Sequence, residues 1–257
     1  MSHTLPHIDA LDAMKKYPER LSHRGNVALL ERQKVSIVGS RKPNQYTQHM
    51  TQLLASKLSH VGVCIVSGAA MGVDAIAHKG AGSDSTIAVL PCGIDVRYPA
   101  VNAKLIESIE QEGLLLSQFT PDFKATDWSF VLRNEIVVAL GDVLIVTQAD
   151  SNSGSMRSVE FALAMGKKIY VLPHRIGESE GTNMLLAQGK AEAIYDIESF
   201  VAQFGRVNAP IDKNDAFMLF CARTPTYEEA VAAYGARIFE AELAGEIRVE
   251  NGKIFLT

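Results

Sequence analysis

The sequence predicts an α/β protein with a mostly parallel sheet wrapped by helices, followed by a small C-terminal domain of winged-helix pattern. Three observations lead there. From residue 34, short β-branched runs alternate with amphipathic stretches, the order that builds a parallel sheet under helices. Glycine- or serine-rich turns follow several of those runs, as strand-to-helix junctions require. Residues 206–257 lack the alternation and read as three short helices and a hairpin.

Residues 1–33 precede the first β-branched run and are set apart as a short N-terminal segment. The strands of the main domain, residues 34–205, read as VSIVGS (35–40), VGVCIVSG (61–68), STIAVLP (85–91), LLLSQF (114–119), DVLIVTQ (142–148) and KKIYVLP (167–173). Between them QHMTQLLASKL, AKLIESIEQ, NEIVVAL and SVEFALAM place apolar residues at helical spacing, each able to cover one face of the sheet. GRVNAPIDKN (205–214) is polar, carries Gly and Pro, has no hydrophobic period, and reads as the linker. Beyond it, NDAFMLFCA and TYEEAVAAYGARIFEAELAGEI read as helices, and IRVENGKIFLT as two strands around an Asn-Gly turn. Winged helices dock proteins as well as DNA, so this element order alone leaves the role open.

With 257 residues, 47% of them hydrophobic, the chain can bury one substantial core and a minor module. No apolar run reaches the length of a membrane span and the N-terminus lacks a signal-peptide pattern, so a cytoplasmic protein without membrane contact is expected. Cys64, Cys92 and Cys221 form no CxxC pair, which argues against disulfides and structural zinc. The seven histidines show no metal-ligand spacing, and neither a metal nor a cofactor is expected. A net charge of -4 resists a nucleic-acid reading unless the basic footprint is local. Residues 206–257 carry six Lys/Arg against eight Asp/Glu, which makes them a poor candidate for the main phosphate contact.

Three turns follow strands and precede helices: Gly39-Ser40-Arg41, the run Ser67-Gly68-Ala69-Ala70-Met71-Gly72-Val73-Asp74, and Ser153-Gly154-Ser155. In a doubly wound sheet they lie at the carboxyl ends of the strands, where the N–H groups of the following helices favour phosphates. One such turn could owe its glycine to geometry alone; three on one edge favour a phosphate-binding face. None is a GxGxxG or a GxxxxGK[ST], and no acid stands ready for a ribose after the first strand, so dinucleotides and ATP are disfavoured. Arg41 supplies a guanidinium at the mouth of the first turn, suited to a bidentate phosphate contact, with a solvated surface arginine as the alternative. In the segment from Asp127 to Glu135, Trp128 and Phe130 stand beside Arg133 and Asn134. Bases of single strands stack on such rings, although either ring could instead anchor a helix; Phe130 is expected to be partly exposed.

Taken in order and at these intervals, Gly39-Ser40-Arg41, SGAAMGVDAIAH (67–78), VLPCGIDVRYP (89–99), FVLRNEIVVALGDVLIVTQADSNSGS (130–155) and GTNMLLAQG (181–189) resemble the DNA-processing protein A family, DprA or Smf. The resemblance covers about residues 34–200 and extends loosely to the C-terminal module. It implies an extended Rossmann-like fold that binds single-stranded DNA in a basic pocket, forms a homodimer, and loads RecA recombinase on incoming DNA during natural transformation. The C-terminal domain could then serve a competence-protein partner. The DNA contacts it implies are Gly39, Ser40 and Arg41; Ser67, Gly68, Ala69 and Gly72; Phe130, Arg133 and Asn134; Ser153, Gly154 and Ser155; and Lys167 before the sixth strand. Glu135 stands where many members carry arginine, and the nearest lysine to Asp127 is Lys124, both of which reduce positive potential at the pocket.

The rival reading is an enzyme, a nucleotide-processing phosphoribohydrolase of a related Rossmann-like class with a PGGxGTxxE motif. Here the corresponding stretch runs from Asp150 to Ser155 and the next acid, Glu160, is out of register. Cys92 after a strand lacks an identifiable activating base, and Asp74 at a helix start reads as a cap or a loop brace. No catalytic residue is expected, and the chain reads as a binder.

Overall fold

The computed structural model describes Leu5 and residues 7–204, 216–221, 223–243, 247–250 and 252–256, in two compact units divided between Phe204 and Gly205. The linker read at 205–214 lies outside the described residues. The first unit is built on one eight-stranded sheet of order β1-β5-β4-β3-β2-β6-β7-β8. Its strands are β1 (Ser22–Gly25), β2 (Lys34–Val38), β3 (Cys64–Ser67), β4 (Thr86–Val89), β5 (Leu114–Ser117), β6 (Val143–Val146), β7 (Ile169–Val171) and β8 (Glu192–Ala193). All neighbours run parallel except β1, which is antiparallel to β5 with Ser22 opposite Ser117.

The six expected strands are β2 to β7. β3, β4 and β5 are buried at every residue, as a parallel strand covered on both faces must be. Their side chains still alternate. Ile65 joins the layer of α1 (Gln45–His60) and α2 (Val73–Ala81), while Cys64 and Val66 join the layer of α4 (Asp127–Leu140) and α5 (Gly154–Ala164). Farther along the sheet, α3 (Ala103–Glu112) packs on Ala88 and Leu115. Two shorter helices, α6 (Glu180–Ala187) and α7 (Ile197–Val201), complete the two layers.

The described residues of the N-terminal segment 1–33, Leu5 and 7–33, do not stand apart in the way expected from the sequence. β1 extends the sheet, and Leu11, Met14, Leu21 and Leu29 are buried in the same cluster as α4 and the central strands. The physical reason lies in α4, whose C-terminal half Ile136–Leu140 is buried all round. A helix apolar on every side needs cover opposite the sheet, and a 3₁₀ turn at Asp9–Ala13 contributes Leu11 to that layer.

The second unit contains α8 (Ala216–Cys221), α9 (Tyr227–Tyr234) and α10 (Arg237–Leu243), then β9 (Ile247–Glu250) and β10 (Lys253–Leu256) as an antiparallel hairpin. Thr226 and Glu229 form a capping box at the start of α9. Gly252 takes φ +73 in the hairpin turn; Asn251 lies outside the described residues. Phe217, Ala230, Ile238, Ile247 and Ile254 form the unit's own core. No helix among the described residues is long and apolar enough to cross a membrane.

Candidate functional site

The chain winds from β2 out to β5, then returns to the other flank of β2 with β6, so the strand order reverses between β2 and β6. At such a reversal the connections diverge to opposite faces and leave a crevice at the strands' carboxyl ends. A cleft of about 450 Å³ opens there. Gly39, Ser40 and Arg41 after β2, Phe130, Arg133 and Asn134 on α4, and Ser153, Gly154 and Ser155 at the start of α5 line it. Thus nine of the residues singled out from sequence meet at one place.

Local geometry explains their convergence. Ser40 N–H donates to the Gln148 carbonyl at 2.8 Å and Asn44 N–H to the Gln148 side-chain oxygen at 3.0 Å, which ties the turn after β2 to the end of β6. Thr126 and Ser129 cap α4 reciprocally and set its entry beside the cleft. Gly72 takes φ +78, and a side chain there would run into the backbone of Ser40 and Arg41, so glycine lets two turns touch. The Arg41 guanidinium lies over the Phe130 ring, 4.9 Å from its centre, with Tyr98 edge-on at 5.9 Å. Arg41 is exposed and Phe130 half-buried, as expected.

Other residues occupy positions that the sequence did not suggest. The Arg133 guanidinium, although part of the cleft wall, is turned into the protein and only 3% exposed. It donates to the Gly68 carbonyl, to the Val89 carbonyl at 3.0 Å and to Asn134 Oδ1 at 3.0 Å, so its donors brace the loop. Gly68 is glycine for this reason, because a side chain there would collide with the guanidinium. Ser67 and Ala69 are fully buried, and Ser67 donates to the Ile37 carbonyl at 2.7 Å. Gly68 and Met71 line a smaller pocket beside Phe130 and Tyr98. Lys167 sits at the amino end of β7, on the opposite edge of the sheet from the cleft. Its ammonium bonds the carbonyls of Ala139, at 2.7 Å, and Gly141 at the C-terminus of α4, where the helix dipole favours a cation. Lys167, Ser67 and Ala69 are therefore corrected from DNA contacts to structural positions, and Arg133 to a brace. Glu135 likewise faces away, accepting the Lys15 backbone N–H at 3.0 Å.

Three residues missed as site residues hold the loop after β3. Asp74 accepts N–H bonds from Gly68 at 3.2 Å and Ala70 at 3.4 Å. Burial pushes its carboxyl above the usual range, and the Arg133 charge works against that rise. Asn102 donates to the carbonyls of Ala69 and Ala70, both at 3.0 Å. His78 Nε2 accepts from Ala69 N–H at 3.3 Å while Nδ1–H donates to Thr86 Oγ1 at 2.6 Å. Burial pushes its imidazole down to about 3, keeping it neutral. The reading of Asp74 as a brace was available from the sequence; Asn102 lies 28 residues farther on and carried no signal.

The chemistry at this cleft is that of anion and ring recognition. Exposed backbone at the start of α5, the Ser153 hydroxyl, which has no partner among the described residues, and Arg41 suit phosphate oxygens. Arg157 also lines the cleft, with its Nη1 held by Glu160 at 2.8 Å. The Cys92 thiol donates to the Val96 carbonyl at 3.4 Å, and burial pushes it up to about 11. Among the described residues one group has metal-ligand spacing, His7, Asp9 and Asp12, all exposed and none lining the cleft.

Protein Smf of Escherichia coli (strain K12) is 35% identical over 182 residues, covering 69% of this chain and 49% of its own length. The chain spans 46% to 67% of the length of the curated relatives it matches. A solved structure of DNA processing protein A from Helicobacter pylori, described with its single-stranded DNA binding mode, aligns with TM-score 0.76 at 43% identity, covering 78% of this chain and 94% of that one. The X-ray structure of DprA from Streptococcus pneumoniae aligns with TM-score 0.72 at 32% identity, over 77% of this chain and 71% of that one. Residues 3–205 match the family of DNA recombination-mediator protein A, and the chain belongs to that family.

Proposed function

We propose that the first unit binds single-stranded DNA in the cleft between β2 and β6, as a binder and not a catalyst. The carrying observation is the Arg41 guanidinium stacked on Phe130 between two glycine-serine turns. Phosphates lie against the turns and Arg41; a base stacks on the guanidinium plane, or on Phe130 where Arg41 leaves it. The protonated Cys92 thiol supports a binding role, as does a cleft in which Arg133 and Asp74 serve the loop. The Helicobacter pylori relative, described with single-stranded DNA, supports the ligand class.

The same reading carries three finer proposals that rest on family resemblance: RecA recombinase loaded on incoming DNA during natural transformation, a homodimer, and a winged-helix-like second unit that docks a competence protein. The dimer is read by light scattering and RecA loading by strand-exchange assays.

The central experiment is fluorescence anisotropy of a labelled oligothymidine across a salt series. Arg41→Ala weakens binding by about 1.5–3 kcal/mol and lowers the slope of log affinity against log salt by about 0.7, one phosphate contact's worth. Unchanged affinity and slope in a folded variant would remove the cleft from the DNA path.

A further inference from the structure

The charged, phosphate-facing groups lie around the mouth of the cleft, whereas farther in it is lined by side chains whose bonding capacity is already partly committed. Arg133 cannot swing, because Gly68 and Val89 hold its Nη1. Its Nε donates to Asn134 Oδ1 at 3.0 Å. A guanidinium N–H can only donate, so the amide oxygen of Asn134 must face it. The amide NH2 is left as the only polar group Asn134 can offer the cleft, and it makes no hydrogen bond among the described residues. Ser158, more than a turn into α5, lines the same cleft, is 1% exposed, and has no partner for its hydroxyl among the described residues. Buried hydroxyls are rarely left unpaired, so this one calls for a ligand atom.

Asp74 lines the cleft as well, and its carboxyl disfavours a phosphate at that depth but not a neutral ring. Asn134 follows Phe130 by four residues on α4, so its amide stands one turn along from the stacking ring. A nucleotide held by its phosphates at the mouth enters with the edge opposite its glycosidic bond leading. That edge carries position 4 and ring N3 in pyrimidines, and position 6 and ring N1 in purines.

We infer that the cleft selects a keto base: Asn134 Nδ2 donates to O4 of thymine or O6 of guanine, and the Ser158 hydroxyl accepts the neighbouring ring N–H. Cytosine and adenine turn an amino donor toward the Asn134 donor, leaving both unpaired, and a site that makes hydrogen bonds rejects such a mismatch strongly. Asn134 and Ser158 are specificity residues within the single-stranded DNA reading above, and the inference rests on that reading.

Oligo(dT), oligo(dU) and oligo(dC) of equal length separate the base edge from phosphate contacts and from purine stacking. By anisotropy at one salt concentration, the intact protein binds oligo(dT) and oligo(dU) alike and about tenfold more tightly than oligo(dC), the lower part of the range for a pair of base-edge bonds. Asn134→Ala and Ser158→Ala each narrow the two ratios and together bring them to unity, and Asn134→Asp shifts preference toward oligo(dC). Equal affinity for oligo(dT) and oligo(dC) in the wild type overturns the inference, as does oligo(dU) behaving like oligo(dC), which would point to the thymine methyl. A preference that survives both alanine variants overturns the assignment to these two residues. Circular dichroism checks folding, and if the Asn134 variants unfold, the wild-type ratio and Ser158→Ala decide. Failure to bind any of the three oligomers sinks instead the single-stranded DNA reading itself.

Discussion

Replacing Arg133 by methionine tests whether this cation serves the fold or the ligand. Methionine keeps an apolar stem of similar reach but removes the donors to Gly68, Val89 and Asn134. Two buried carbonyls lose a partner, and Asp74 loses the charge that holds its carboxyl down. Breaking a buried charge interaction from one side costs about 3–5 kcal/mol. At about 2–4 °C per kcal/mol for a unit of this size, the melting temperature falls by about 6–20 °C. Oligothymidine affinity falls too, because the loop that carries Ala70 and Met71 loses an anchor. The salt slope stays at its wild-type value, since no phosphate contact is removed. The assay is thermal circular dichroism together with anisotropy across salt, at a temperature where the variant is folded. A wild-type melting temperature with a slope lower by about 0.7 would refute the argument and return Arg133 to the phosphates.

Three other outcomes follow from the same structure. Gly68→Ala lowers the melting temperature and weakens DNA binding, because its Cβ meets the Arg133 guanidinium, whereas Gly154→Ala meets open space and stabilises by about 0.4–1 kcal/mol through the unfolded chain; equal effects in thermal melts would contradict this. Glu135→Arg costs about 0.5–1.5 kcal/mol by leaving the Lys15 N–H facing a donor, and DNA affinity and salt slope remain unchanged; tighter binding would place residue 135 on the DNA path. For His78, the folded state binds its proton only near pH 3 while the unfolded chain binds it near 6.5, so the stability is present above 6.5 and is lost as pH falls toward 3. Melts between pH 6.5 and 4 therefore lose about 1.4 kcal/mol per pH unit from this residue, and His78→Gln, already less stable at pH 7, shows a shallower slope; an identical slope would exclude His78 as its source.

The central sheet was legible because β3, β4 and β5 are covered on both faces and so read as nearly continuous apolar runs, broken only by a closing serine in CIVS and LLLS. The turns were legible because strand-to-helix junctions at a phosphate-binding edge draw on few residue types, and Gly39-Ser40-Arg41, Phe130 and Ser153-Gly154-Ser155 do share one cleft. β1 was not legible, since Ser-His-Arg-Gly has neither apolar alternation nor length and is recruited only because β5 offers it an edge. α2 was legible only as the helix that the Ser67–Asp74 turn enters, because its nine residues are too few to mark its extent, and the packing of α1 against it comes from the fold.

By itself, the sequence determined the α/β class, the positions of the six central strands along the chain and the residue types gathered at their carboxyl ends, because period, turn chemistry and motif spacing are local properties of the chain. Only the tertiary structure decided the direction of each charge. Arg133 and Arg41 are both arginines beside a glycine-serine turn, yet one is buried under Gly68 and the other lies over Phe130 in the open cleft. Lys167 and Glu135 were also drawn to other partners, the carbonyls ending α4 and the N–H of Lys15. A side chain's partner is set by which unsatisfied backbone groups the folded chain brings within reach, and those groups come from residues 26 to 120 positions away in sequence.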